Sequence, residues 1–152
     1  HKAMTQSEIC ARLDISQSEK NALYPDVSLL NHEWDNPDAL AHLGTLPSKE
    51  IAALSDGLFA MDVPVTFNKT ALSYDQILIL GPVFPHEVVG FSGGNKYLFP
   101  GIGGPEILNF FHWLGAVISN AKIIGNGPTP LRKVVDRAAQ MVPVPKSVIC
   151  MV

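Results

Sequence analysis

Gln76-Ile77-Leu78-Ile79-Leu80-Gly81-Pro82-Val83-Phe84-Pro85-His86 passes from an apolar, β-branched run straight into glycine and proline. A strand apolar at successive positions is one covered on both faces, as in a parallel sheet. The break after Leu80 begins a 24-residue stretch, Gly81 to Gly104, with seven glycines and three prolines among mostly apolar residues. That is a loop with strict backbone demands, lying where open α/β sheets bind ligands, beyond the carboxyl end of a strand.

Outward from this centre the chain alternates between strand and helix signals. Val63-Pro64-Val65-Thr66-Phe67 reads as a second strand and Ser147–Val152 as a third. Val27–Leu30 is short and apolar enough to be another. Thr5-Gln6-Ser7-Glu8 has the form of a capping box and predicts a helix through about Leu13. Ser48-Lys49-Glu50 predicts a helix through Ala53, and Pro105 sits at the first turn of one running to about Ser119. Thr129-Pro130 starts another, with Leu131, Val134, Val135, Ala138 and Met141-Val142 inward and Pro143 stopping it. The expected architecture is an α/β domain over residues 1–152, a mostly parallel sheet flanked by helices in the Rossmann-like manner.

Composition bounds the function. Apolar residues make up 47% and charged residues 16%, so the chain folds, with a surface poor in charge for a solvated monomer. Eleven Lys+Arg against fourteen Asp+Glu, with no basic block, argue against a nucleic-acid partner. No apolar run approaches the ~18 residues of a membrane span, and no export leader opens the chain, so a cytoplasmic location is expected. Cys10 and Cys150 read as small core residues. The opening at His1 and the close inside an apolar strand are read as the ends of a fragment of a longer protein.

Within the loop, Ser92-Gly93-Gly94 followed by Lys96 offers N–H groups, a hydroxyl and an ammonium to an anion. The spacing fits neither a P-loop nor a dinucleotide fingerprint. His86 is an imidazole suited to proton transfer near neutral pH. His112 lies in Glu106–Ile118, a segment apolar almost all round, which places it among buried residues where it needs a partner. His32 and His42 stand in polar surroundings and are not read as ligands. No His/Cys spacing supports a protein-only zinc cage.

The run Pro85-His86-Glu87-Val88-Val89-Gly90-Phe91-Ser92-Gly93-Gly94-Asn95-Lys96, then Pro100-Gly101-Ile102, then His112, resembles the lactate racemase family that carries the nickel-pincer nucleotide. His86 and Lys96 are ten residues apart and Lys96 and His112 sixteen, as in that family. His1-Lys2-Ala3-Met4-Thr5 is similar to its His-Arg-Pro-Met-Thr motif, and Asn31-His32-Glu33 to its Asn-His-Asp. The likeness covers most of this chain but only the later part of the family's N-terminal domain.

The resemblance implies roles. Lys96 would tether a sulfur-modified pyridinium mononucleotide through a thioamide, and His112 would be the protein ligand of its square-planar nickel. Ser92, Gly93 and Gly94 would lie against that cofactor. His86 and His1 would form the acid/base pair that inverts the carbinol of a small 2-hydroxy acid through a ketone. The partner domain implied is the C-terminal domain of the same chain, and a fragment alone is expected to be inactive and to lack the cofactor. Lys2 and Ala3 replace Arg-Pro, Asn95 stands where arginine is common, and 85 residues separate His1 from His86, which suggests extra chain around Ala53–Asp62. The residues themselves leave two other readings open, a phosphate- or nucleotide-binding module without redox chemistry and a purely structural domain.

Overall fold

The computed structural model describes residues 3–118 and 120–152. The chain divides into two compact units, residues 1–33 and 34–152. The first holds two short helices, α1 (Gln6–Arg12) and α2 (Gln17–Leu23). Each starts in a complete capping box. The Thr5 and Ser16 hydroxyls accept from the Glu8 and Glu19 N–H groups, while the glutamate carboxylates accept from the Thr5 and Ser16 N–H groups at 2.7 Å. Those bonds hold both carboxyls below the usual carboxylate range. The second box, Ser16-x-x-Glu19, has the same form as the first. Val27–Leu30 forms no strand. Beyond it the Asn31 amide closes on the chain start, accepting from Met4 N–H at 3.0 Å and donating to Met4 O at 2.8 Å.

The second unit is mixed α/β. Strands β1 (Leu40–Leu46) and β2 (Val63–Asn68) pair antiparallel, with helix α3 (Ser48–Leu54) in their connection. Every second residue of β2 (Val63, Val65 and Phe67) is buried, the period-2 pattern of a half-covered strand. Helix α4 (Pro105–Val117) packs on β2 through Ile107, Phe110, Phe111 and Leu114. Phe67 and Phe99 meet with ring centroids 5.3 Å apart, and Phe59 meets Phe110 edge-on at 5.7 Å.

Strand β3 (Ile77–Pro82) pairs parallel with β6 (Lys146–Met151), the hairpin β4 (Pro85–His86) and β5 (Gly90–Phe91) follows β3, and helices α5 (Asn120–Ile123) and α6 (Pro130–Ala139) complete the crossover. The expected inner face of α6 is buried at Leu131, Val134, Val135 and Ala138. Glu50 of α3 pairs with Arg137, and Asp56 pairs with Lys133 at 3.0 Å.

Three expectations are corrected. Among the described residues the sheets are three two-stranded pairs, only one of them parallel, rather than one mostly parallel sheet. β3 is not covered on both faces: Ile79 is buried, but Leu78 and Leu80 are 54% and 63% exposed, alongside Ile149 and Met151 of β6. Cys10 is buried, whereas Cys150 lies on that open strand and is exposed.

Candidate functional site

The loop after β3 is built around one carbonyl. Pro82 O accepts from the Ser92 hydroxyl at 3.2 Å and from the Tyr97 hydroxyl at 3.1 Å, while Ser92 Oγ accepts from Phe84 N–H at 2.9 Å. The Ser92 hydroxyl is therefore spent inside the loop and is not presented to a ligand. Gly93 has φ +83° and ψ 175°, a region essentially closed to other residues, and a Cβ there would come within 2.6 Å of Val83. Gly93 thus allows the chain to reverse into a 3-10 turn, Gly94–Tyr97, that carries Lys96.

His86 ends β4, where it pairs with Gly90 across the hairpin. Its Nδ1 accepts from Val88 N–H at 3.0 Å, which places the proton of the neutral ring on Nε2. Glu87 Oε2 lies 3.8 Å from the same Nδ1, and becomes an ion-pair partner only if the ring is protonated. Burial, and then the Lys96 cation, push the His86 pKa below its ordinary value, outweighing the opposite pull of Glu87. Burial also lowers the Lys96 pKa, with Arg132 adding to it and Glu87 opposing. Two depressed bases, each made less basic by desolvation, favour a neutral imidazole and a more nucleophilic amine.

His112 is not buried. α4 is covered on one side only, and His112, Trp113 and Val117 share its open side. The partner that burial was expected to demand is therefore not required. His112 instead lines, together with His86 and Lys96, a cavity of about 260 Å³, walled also by Glu87, Pro100 and Phe111. A larger cavity of about 580 Å³ also borders His112 but includes neither His86 nor Lys96. Hairpin, turn and helix thus deliver three chemically capable side chains to one place. Ser92, Gly93 and Gly94 do not line it, and His1 lies outside the described residues. Among the described residues no group of three or more His, Cys, Asp or Glu could hold a metal by itself.

A family model, the lactate racemase N-terminal domain, matches residues 1–125. The chain belongs to that family. No curated protein matches it. Among solved structures, a Thermotoga maritima protein from a structural genomics consortium is 33% identical, with a TM-score of 0.85, over 99% of this chain and 36% of its own. The lactate racemase apoprotein of Thermoanaerobacterium thermosaccharolyticum is 23% identical, with a TM-score of 0.64, over 98% of this chain and 32% of its own, a likeness of fold. The chain thus spans about a third of the structures it matches. Among the described residues no helix is long and apolar enough to cross a membrane.

Sequence reasoning missed Arg132 and Asp136. Both are polar positions on α6, and their partners lie about forty residues away in the loop, with the Arg132 guanidinium on Phe91 O and Gly93 O and the Asp136 carboxylate on the Asn95 amide. Their i, i+4 spacing puts them on one helix face, but no local pattern names what they reach.

Proposed function

We propose that this chain is the cofactor-attachment part of a racemase or epimerase that inverts the C2 carbinol of a small 2-hydroxy acid. The observation that carries the reading is the meeting of His86, Lys96 and His112 on one cavity. The donor set fits a nickel-pincer nucleotide: a single imidazole suits one open position on a metal whose other ligands come with the cofactor, and a desolvated amine suits covalent attachment. Lys96 would hold the nucleotide and His112 its nickel, with the Ser92-Gly93-Gly94 backbone lying against it. When bound, the group would accept and return hydride at the carbinol carbon.

The chain's own residues would move the proton. To accept the substrate hydroxyl proton at Nε2, His86 must first take its other tautomer, its Nε2 proton passing to solvent as Nδ1 gains one from solvent. The Nδ1–H then replaces the Val88 N–H bond with one toward Glu87, whose carboxylate stabilises the imidazolium. Its lowered pKa keeps the ring unprotonated at neutral pH, ready to act as base. His1 would serve the opposite enantiomer. A cytoplasmic setting and a C-terminal domain of the same protein complete the reading.

The test is intact-mass and metal analysis of the protein at its full natural length, made in cells that synthesise the cofactor. A covalent adduct lost in Lys96→Ala and nickel lost in His112→Ala are expected. An unmodified Lys96 without nickel would sink the reading. A plain phosphate-binding module would instead lose anion binding in Lys96→Ala and be indifferent to His112→Ala.

A further inference from the structure

The segment upstream of Lys96 is tied to α6 at every second residue. The Thr129 hydroxyl donates to Val89 O at 3.3 Å, Arg132 donates to Phe91 O at 2.5 Å and to Gly93 O at 3.5 Å, and the Asn95 amide donates to Asp136 at 2.9 Å. Positions i, i+3 and i+7 of a helix share one face, so 129, 132 and 136 together meet the Val89, Phe91 and Gly93 carbonyls and the Asn95 side chain as the loop passes from β5 into the Lys96 turn. α6 is itself fixed by its buried inner face. It also lies beyond residues 1–125, which the family model covers.

From this geometry we infer that Arg132, seconded by Asp136, is a positioning residue that sets the Lys96 turn against the cavity. A guanidinium is suited to this because its fork can reach two carbonyls at once, whereas a lysine ammonium would reach one. Charge-assisted bonds of this kind are the stronger class. The role rests on reading Lys96 as the attachment point, but its test needs no cofactor.

Two readouts on the chain itself follow the turn. One is hydrogen exchange of the Lys96 N–H, which is bonded to Gly93 O at 3.2 Å. The other is the pH profile of Lys96 labelling by a short pulse of acetic anhydride, with exposed Lys49 as reference. In Arg132→Met, exchange at Lys96 should quicken by about tenfold or more relative to the α4 amides, since it frees two charge-assisted bonds. Its labelling profile should move to higher pH, because a nearby cation is removed. Arg137→Met, on the same helix but away from the loop, should leave both readouts at the wild-type values. Arg132→Lys, which keeps the charge, should speed the exchange while holding the labelling profile. If Arg132→Met matches Arg137→Met in both readouts, or Arg132→Lys exchanges like wild type, the positioning role is overturned. Failure of Lys96 to acquire the cofactor would instead refute the proposed function and leave this result standing.

Discussion

Thr129 is 2% exposed, and its one hydroxyl serves two structures. Oγ1 accepts from Arg132 N–H at 3.1 Å as the N-cap of α6, and donates to Val89 O at 3.3 Å. Thr129→Val keeps the shape and removes both bonds. Loss of an N-cap costs about 1 kcal/mol. A buried carbonyl left without a partner costs about 1–3 kcal/mol. The two losses share one group and do not fully add, so about 2–3 kcal/mol is expected. For a chain of this size that lowers the melting temperature by about 4–12 °C. Thr129→Ser retains the hydroxyl and should lose less than half as much. Urea titrations followed by tryptophan fluorescence would give both values, provided the slopes agree. A Thr129→Val midpoint indistinguishable from wild type would refute the claim that this hydroxyl joins α6 to the loop.

Other perturbations probe separate links. The His86 imidazole should titrate below 6.5, and Lys96→Met should raise its midpoint because a nearby cation is removed, so an unchanged or lower midpoint by NMR contradicts the electrostatics. The same depression means the unfolded chain binds the extra proton first, so stability should fall as the pH drops through that range, with a shallower slope in His86→Gln. Gly93→Ala should destabilise by about 1–3 kcal/mol through backbone strain, and equal thermal stability would show that the turn does not need its positive φ. The Glu8 and Glu19 carboxyls titrate below 4.5, so their capping support is complete above that pH and is lost as the pH falls through their lowered values. Circular dichroism should show that acid loss of helix in wild type and a flatter profile in a Glu8→Gln, Glu19→Gln double variant.

The local signals were the legible ones. Thr5 and Glu8 announced α1, Pro105 opened α4, and the 131, 134, 135, 138 spacing gave the buried face of α6, because each is decided within a few residues. Sheet pairing was not legible, since β1 pairs with β2 antiparallel and β3 with β6 across more than sixty residues, and no pattern inside a strand names its neighbour. The strand 77–82 looked doubly covered because its composition is apolar, yet cover depends on what packs there, and Leu78 and Leu80 stand open. His112 was misplaced for the same reason, a helix apolar all round being half bare in this unit. The meeting of His86, Lys96 and His112 was readable only through the resemblance. The Arg132 contacts were not readable at all.

The alternation of ties between residues 89–95 and α6 makes that segment sensitive to its length. Inserting or deleting one residue there would displace the residues on one side of the change along the α6 face, so that the Val89, Phe91, Gly93 and Asn95 bonds could not all be kept. The stretch after α3, whose Gly57 has open space where a Cβ would stand, imposes no such phase. Length variation in this lineage should thus accumulate between α3 and β2, while the spacing from Val89 to Lys96 stays fixed even where the residues themselves change.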